Sequence, residues 1–390
     1  MTTPAPRIFL IAVEESGDRI GADLMRALRR HYGDAVSFEG IGGAAMTGEG
    51  LQSLFDPHEV ALIGFVAIVQ KLPMLLRRIR ESADAVVRAH PDMLVIIDSP
   101  DFTHRVARRV RKQAPDIKIV NYVSPTVWVW RGGRAKAMRA YIDRVLAIFP
   151  FEPAVHQRLQ GPPCTYVGHP LMSELDKLRP NEQEEARRTL WPPLVMVLPG
   201  SRRSEVERLL PIFGAAIQKA HDEAGSFDLV LPTLPRLEAM VRTHVSTWPV
   251  QPRIVTDDEE KFAAFRTARA ALVKSGTVTL ELALARVPMV AAYKVGKIEE
   301  WIVRVLVNVT SAILPNLIVD KNFVPEFLQE RCNGDALGLA LAQIIEDGAA
   351  RARQMKGFDR LMQVMTISKE APGDKAARII ASEIAAKPLA

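Results

Sequence analysis

The sequence predicts an α/β protein made of two doubly wound, Rossmann-like domains that face each other across a cleft. Short apolar runs alternate with helical patterns, which is typical of parallel sheets covered by helices on both faces. This alternation occurs twice, and a charged, proline-flanked stretch separates the two series. The length of 390 residues also suits about two domains, at roughly 100–200 residues each.

The first series predicts an N-terminal domain over residues 1–172. RIFLIAV precedes the helical pattern IGADLMRALRRHY, and DMLVIID precedes FTHRVARRVRKQ. The segments KIVNYVS, RVLAIFP and CTYVGHP follow as further short strands. The stretch SELDKLRPNEQEEARRTLWPP has little apolar patterning beyond a short helix, so we place the interdomain connection at 173–193.

The second series predicts a C-terminal domain over residues 194–360. Its strand candidates are LVMVLPG, FDLVLPT, PRIVTD, ARAALVKSG and VPMVAAYKV. In doubly wound folds, ligands bind beyond the C-terminal ends of the strands. The tail, 361–390, contains the helical pattern KAARIIASEIAAK. Packing of this helix against the N-terminal domain is left open.

Composition excludes several classes of protein. Cys164 and Cys332 are the only cysteines, too few for a disulfide framework or a cysteine-rich zinc site, which favours a reducing compartment. The longest uncharged apolar run, Val60–Val69, is well short of the ~20 residues of a membrane-spanning helix. The net charge of +6 suits acidic small molecules, anionic lipid or nucleic acid without choosing among them.

The segment VLPGSRRSEVERLLPIF is typical of an anion-binding turn. A strand, a Pro-Gly turn and a helix start present backbone N–H groups to an anion, and Gly200 and Ser201 lie at that turn. Arg202 would pair with a phosphate through its planar guanidinium. The alternative is an ordinary turn with a solvated arginine.

The segment VKSGTVTLELALARVPMV predicts a second binding element. Ser275 or Thr277 would cap a helix, with Gly276 between them. Glu281 lies one turn further along an apolar helix, where a carboxylate needs a partner or a ligand. A diphosphate followed by a ribose diol would satisfy this arrangement. The alternative is that Glu281 pairs with a nearby lysine or arginine.

Acids follow two predicted strands of the first domain. Asp98 ends LVIID and is a candidate general base. The alternative is that it caps the following helix, a role that suits Asp101 equally well. Glu14 and Glu15 directly follow RIFLIAV, and the segment alone does not distinguish functional acids from surface charges.

Two further segments leave their roles open. VSPTVWVWRGGRAKAMR combines tryptophans with basic residues, which suits nucleic-acid stacking, a lid over a sugar phosphate, or core tryptophans beside a solvated helix. EVALIGFVAIVQKLPMLLRRIRES is apolar on all sides before a basic flank. That pattern favours a helix at an anionic lipid surface, with a buried core helix as the alternative.

Taken together and in order, these motifs resemble the lipid-A-disaccharide synthase family. The motifs are ESGDRIGADLMRAL, DSPDF, YVSPTVWVWR, FPFE, YVGHPL, LPGSRRSEV, SGTVTLELAL, PMVAAYK and LPNLIVDKNFVPEFLQE. The resemblance implies a glycosyltransferase of the two-domain GT-B type. It implies that UDP-2,3-diacylglucosamine is joined to 2,3-diacylglucosamine 1-phosphate, giving UDP and a β-1,6-linked disaccharide 1-phosphate.

The resemblance also implies a setting and partners. No metal or other cofactor is expected, nucleic acid is not an expected partner, and a homodimer is left open. Both substrates carry acyl chains, so the enzyme would work as a peripheral protein on the cytoplasmic face of the inner membrane. The alternative is another GT-B enzyme acting on a UDP-sugar, either a soluble transferase or an epimerase.

Site roles follow from the resemblance residue by residue. Asp98 would be the base for the acceptor hydroxyl, with Glu14 beside it, and Glu281 would bind the ribose. The remaining nucleotide-side positions would be Gly200, Ser201, Arg202, Ser275, Gly276, Thr277, Asn316 and Gln329. The acceptor phosphate would be held by Arg131 and Arg134. The membrane contacts would be Leu62, Phe65, Val66, Val69, Leu72 and Leu75.

The chain departs from the family pattern at the first strand end. The family usually has glycine where this chain has Val13, and a small residue where it has Glu15. Valine lacks the backbone freedom and close approach of glycine. We therefore expect the pocket around Glu14 to differ in shape from that of the family.

Overall fold

A computed structural model gives the structure of most of the chain. It describes residues 6–60, 72–129, 132–296, 311–366 and 370–386. The chain divides into two compact units, one of Met1–Met172 with Ser368–Ala390 and the other of Ser173–Ile367. Each unit has its own six-stranded sheet, so the predicted α/β class with two doubly wound sheets is confirmed.

The first unit contains six parallel strands in the order β2-β1-β3-β4-β5-β6. Its elements are β1 (Arg7–Ala12), α1 (Glu15–Tyr32), β2 (Ser37–Ile41), α2 (Ala44–Gly48), α3 (Leu72–Ala89), β3 (Met93–Ile97), α4 (Pro100–Gln113), β4 (Lys118–Tyr122), α5 (Gly133–Met138), β5 (Arg144–Ala147), α6 (Glu152–Arg158) and β6 (Cys164–Tyr166). Every residue of β3 is fully buried, which explains its continuous apolar sequence, since a central parallel strand is covered on both faces.

The second unit contains six parallel strands in the order β12-β11-β10-β7-β8-β9. Its elements are α7 (Leu175–Leu178), α8 (Glu182–Arg187), β7 (Leu194–Leu198), α9 (Arg203–Ala224), β8 (Asp228–Pro232), α10 (Glu238–Val245), β9 (Arg253–Val255), α11 (Asp258–Thr267), β10 (Ala270–Lys274), α12 (Val278–Leu284), β11 (Met289–Tyr293), α13 (Leu314–Val319), β12 (Glu326–Leu328), α14 (Gly334–Ile345) and α15 (Ala349–Met365). The edge strand β12 has no counterpart in the predicted strands, because its short sequence carries no alternation to detect.

The stretch between the two sheets is tied to the second unit by Arg188. Its side chain is buried, and it donates hydrogen bonds to the carbonyl oxygens of Phe265, at 2.9 Å, and Ala285, at 2.8 Å. A buried guanidinium is stable only when its donors are satisfied. Arg188 is therefore a charged residue of this stretch that is buried in the second unit.

The last helix, α16 (Pro372–Ala385), belongs to the first unit and packs against α1. Arg30 Nη2 lies 2.5 Å from Asp374 Oδ1. Arg144, at the start of β5, places its Nε 2.5 Å from Glu383 Oε1. The helical pattern of the tail is confirmed, and these two ion pairs fix its position on the unit.

Candidate active site

The end of strand β3 carries an unusual backbone. Asp98 and Ser99, the two residues after the strand, have φ angles of 53° and 43°. Non-glycine residues rarely adopt this left-handed region, at a cost of order 1–3 kcal/mol each, and such residues cluster at functional sites. The hydroxyl of Thr103 holds the turn by donating to the carbonyl oxygens of Asp98, at 2.7 Å, and Ser99, at 3.0 Å.

Glu14 joins Asp98 at this strand end. Strands β1 and β3 are neighbours, and their C-terminal ends meet at one edge of the sheet. The Ser99 hydroxyl donates a 2.6 Å hydrogen bond to Glu14 Oε1. Burial and, secondly, the charge of Glu14 raise the pKa of Asp98, while a hydrogen bond from the Ser99 backbone opposes the rise. Asp98 is therefore a stronger base than a solvated aspartate.

Helix capping does not account for either aspartate. The N-cap residue of α4 is Ser99, and no side-chain capping hydrogen bond is present there. Asp101 instead accepts a hydrogen bond from Arg134 Nη2 at 2.9 Å. Arg134, a predicted acceptor-phosphate residue, thus already has an acidic partner. Its predicted companion Arg131 lies outside the described residues.

The two residues that depart from the family pattern flank Glu14 and have unrelated roles. Val13 is 4% exposed and packs in the hydrophobic core of the first unit. Glu15 is exposed and pairs with Arg19 one turn along α1, at 2.5 Å. Of the two adjacent glutamates, Glu14 alone contacts the strand-end turn.

Asp18, in the same ESGD motif, has a structural role that the sequence analysis missed. It is 5% exposed. Its carboxylate accepts hydrogen bonds of 2.7, 2.8 and 3.1 Å from the backbone N–H groups of Gly43, Ala45 and Met46. These are the donors at the start of α2 that have no partner within that helix. In the sequence, the only indication of this role was that Asp18 stands two residues before the helical pattern IGADLMRALRRHY.

The second unit contains a cavity of about 420 Å³ at the C-terminal ends of β7, β8, β9 and β10. Six of the predicted nucleotide-side residues line it: Gly200, Ser201, Arg202, Gly276, Thr277 and Glu281. Both predicted binding segments therefore converge on one cavity. Within the described ranges, no group of three or more His, Cys, Asp or Glu side chains is arranged to hold a metal ion.

The backbone conformation of the Pro-Gly turn after β7 requires a glycine at position 200. Its φ of +117° disfavours any side chain. A Cβ at this position would lie 2.8 Å from Glu205 Oε2. Glu205 is on the first turn of α9, so the glycine lets the carboxylate pack directly against the loop.

Ion pairs link the acids and cations of the cavity. Glu281 Oε2 lies 3.1 Å from Lys261 Nζ, and Lys274 Nζ lies 3.1 Å from Glu205 Oε1. The structure thus combines both interpretations of Glu281, since it lines the cavity and also pairs with a lysine. The sequence analysis missed Lys261 and Lys274, although Lys274 stands at a strand's C-terminal end, the position that singled out Asp98.

The expected capping of α12 by Ser275 or Thr277 is wrong. Thr277 occupies the N-cap position in a helical backbone conformation, without a side-chain capping hydrogen bond. Ser275 donates its hydroxyl to the carbonyl of Ala312 at 2.6 Å. Ser275 therefore anchors a neighbouring loop, and it is not among the residues that line the cavity.

Asn316 and Gln329 lie away from the cavity lining. The Asn316 amide is 1% exposed, donates to Val324 O and Glu326 Oε1, and accepts from the N–H groups of Phe323 and Val324. These four hydrogen bonds are all that an amide side chain can make. Gln329 Oε1 accepts from the Val295 backbone at 2.9 Å. Both side chains position loops of the second unit.

Trp128, from the tryptophan segment, packs in an aromatic cluster, and Trp130 lies outside the described residues. Trp128 meets Phe149 and Phe151 edge-on, with ring centroids 6.4 and 5.1 Å apart. Glu152, 1% exposed beside this cluster, accepts a 2.9 Å hydrogen bond from the Phe149 backbone. Burial raises the pKa of Glu152 to about 8. Trp128 is accounted for by packing.

The predicted membrane segment is described only in part. Leu62, Phe65, Val66 and Val69 lie outside the described residues. Leu72 is 41% exposed, while Leu75 packs against the core of the first unit. Among the described helices, none combines the length and apolarity needed to cross a membrane.

Comparison with known proteins identifies the family. A sequence model of lipid-A-disaccharide synthetase matches residues 8–380. The lipid-A-disaccharide synthase of Rhodopseudomonas palustris strain HaA2 is 57% identical over 374 residues, which cover 96% of this chain and 95% of that protein. The chain belongs to the lipid-A-disaccharide synthase family. As a member, it is a glycosyltransferase of lipid A biosynthesis.

Solved structures agree on the fold. A glycosyltransferase from Rickettsia africae has a TM-score of 0.59 at 11% identity, over 98% of this chain and 100% of that chain. The UDP-GlcNAc 2-epimerase from Neisseria meningitidis bound to UDP-GlcNAc has a TM-score of 0.59 at 12% identity, over 97% of this chain and 99% of that chain. These likenesses establish the GT-B fold and nothing finer.

Proposed function

We propose that the enzyme transfers 2,3-diacylglucosamine from a UDP donor to the 6-hydroxyl of 2,3-diacylglucosamine 1-phosphate. The products are UDP and a β-1,6-linked disaccharide 1-phosphate. The observation that carries the proposal is the cavity of the second unit, where the Gly200 turn, Arg202 and Glu281 converge in a member of this family. Residues 194–360 would bind the donor and residues 1–172 the acceptor.

The donor's nucleotide fits the chemistry of the cavity. The backbone at Gly200 and Ser201 and the guanidinium of Arg202 would bind the diphosphate. Glu281 would accept hydrogen bonds from the ribose hydroxyls, and Lys261, 3.1 Å from its Oε2, would offset its charge. Ser275, Asn316 and Gln329 would support this site through the loops that they anchor.

The first unit would supply the base. The acceptor's 6-hydroxyl oxygen attacks the anomeric carbon of the donor, and Asp98 takes the hydroxyl proton. The bond between that carbon and the β-phosphate oxygen breaks, and its electron pair leaves with UDP. Attack from the face opposite UDP inverts the anomeric configuration. The raised pKa of Asp98 improves its match to a hydroxyl proton at neutral pH.

The acceptor and the lipid surface would be bound by the first unit as well. Arg134, with Arg131, would hold the acceptor's phosphate, releasing Asp101 in the process. Exposed Leu72, three residues after the apolar run that ends at Val69, would contact the acyl region of the membrane. The enzyme would then act as a peripheral protein on the cytoplasmic face of the inner membrane.

The proposal is tested by supplying the purified protein with both acylated substrates in mixed micelles. UDP release should require donor and acceptor together, and mass spectrometry should detect a product with the mass of both sugars joined. UDP release from the donor alone, or conversion of the donor to an isomer of equal mass, would contradict it. The second outcome would favour an epimerase.

A further inference from the structure

Lys274 lies in the cavity close to two turns, one at Gly200 and the other at Gly276. It is the last residue of β10, and its side chain is 18% exposed. A Cβ added to Gly276 would lie 3.8 Å from its Nζ, so the ammonium stands directly beside that turn. The same ammonium contacts Glu205 Oε1, and the other oxygen of that carboxylate packs against Gly200, so Glu205 links Lys274 to the second turn.

The surroundings of Lys274 hold its ammonium in place. Glu205 Oε1 lies 3.1 Å from Lys274 Nζ and 3.3 Å from Arg202 Nη1, so one carboxylate oxygen contacts two cations from different elements. The Tyr293 ring centroid lies 5.7 Å from the ammonium, within the range of a cation–π interaction. These contacts orient the Lys274 ammonium toward the part of the cavity that contains Glu205 and Gly276.

The cavity's other cations are less suited to a buried phosphate. The Arg202 side chain is 72% exposed, so solvent screens its charge. Lys261 lies against Glu281, at the end assigned to the ribose. Lys274 combines a low exposure with a position beside Gly276 and a contact to Glu205, which packs against Gly200. A positive charge has its largest effect on developing negative charge where water is excluded.

We propose that Lys274 is a donor-binding residue whose ammonium contacts the diphosphate of the UDP-sugar and stabilises the charge of departing UDP. This inference rests on the proposed function, since it takes the cavity to be the nucleotide site. Glu205 contacts both Lys274 and Arg202. The ion pair with Glu205 then gives way to contacts with the diphosphate.

The test compares the binding of UDP and uridine to the full-length chain. Lys274→Met keeps an unbranched side chain that is one atom shorter and removes the charge. We expect the Kd for UDP to rise about tenfold or more, because a charge-assisted hydrogen bond is lost. The Kd for uridine, followed by ligand-observed NMR, should change less than about twofold, because uridine has no phosphate. Lys274→Arg should restore part of the UDP affinity.

Lys219→Met is the matched control. Lys219 forms an ion pair with Glu223 on α9, away from the cavity, and its loss should leave both Kd values unchanged. UDP binding by Lys274→Met that equals wild type would overturn the role of Lys274 and leave the proposed function standing. An equal loss for UDP and uridine would also overturn it. A wild-type chain that binds no UDP would overturn the proposed function itself.

Discussion

Each unit has its candidate site at the C-terminal ends of the strands of a parallel sheet. The first unit has the turn at Asp98 there, and the second unit has the cavity. In both, polar side chains follow the C-terminal ends of parallel strands. At the first, Glu14 lies at the end of β1 near Asp98 at the end of β3, and burial followed by the charge of Glu14 raises the pKa of Asp98. At the second, Glu205 and Glu281 each contact a lysine. The first arrangement favours taking a proton, and the second favours binding an anion.

Removing the base should separate the two sites most clearly. Asp98→Asn should lower kcat by about 100-fold or more, the scale of general-base catalysis. The Kd for UDP should stay the same, because the UDP site that we propose is the cavity of the second unit. Asp84→Asn, at a half-exposed acid of α3, is the control and should keep full activity. A parallel loss of UDP affinity in Asp98→Asn would contradict this and would mean that Asp98 binds the nucleotide or is needed for the fold.

Truncating Glu281, one of the carboxylates that line the cavity, should have the opposite effect. Glu281→Ala should raise the Kd for UDP by about tenfold, because the ribose loses a charge-assisted acceptor. Pyrophosphate, which lacks the ribose, should bind as well as before or better, since Lys261 is released. Isothermal titration with both ligands measures this, with Glu238→Ala on α10 as the control. Unchanged UDP binding would assign Glu281 to the Lys261 pair alone.

The adjacent glutamates offer a smaller and sharper test. The charge of Glu14 helps to raise the pKa of Asp98, so Glu14→Gln should lower that pKa and move the acidic limb of the kcat/KM profile to lower pH. Glutamine still accepts the Ser99 hydrogen bond. Glu15→Gln should leave the limb unmoved, because Glu15 pairs with exposed Arg19. A limb that stays in place in Glu14→Gln, or shifts upward, would remove Glu14 from the site.

Glu152 tests whether a raised pKa alone marks a catalytic acid. Its pKa is about 8 in the folded state against 4.5 for the ordinary group. The neutral acid is favoured in the fold, so its contribution to stability is present below about pH 4.5 and is lost as pH rises toward 8. The melting temperature of wild type should therefore fall relative to Glu152→Gln across that window.

The control for this comparison is Glu182→Gln, at an exposed position of α8, which should track wild type at every pH. Glu152→Gln should retain activity, because Glu152 is buried beside Trp128 and accepts from the Phe149 backbone. A melting difference that is constant with pH would mean that Glu152 is ionised in the fold throughout.

The fold was predictable because most of its strands are continuous apolar runs ended by glycine, proline or acids. The parts of the site that follow those strands, such as Gly200 and Asp98, were predictable for the same reason. The roles of Ser275 and Asn316 were not, because no local pattern shows that Ser275 bonds to the carbonyl of Ala312 or that the Asn316 amide bonds to Phe323, Val324 and Glu326. Glu205 and Lys274 form their contact across two elements, and no local pattern reports it.

The configuration of the product tests the central claim most directly. Purified enzyme is incubated with UDP-2,3-diacylglucosamine and 2,3-diacylglucosamine 1-phosphate, and the product is examined by NMR. The account predicts a single disaccharide with a β-1,6 linkage, formed by wild type and not by Asp98→Asn. A product with the donor's anomeric configuration retained, or a sugar released to water in place of a disaccharide, would contradict it.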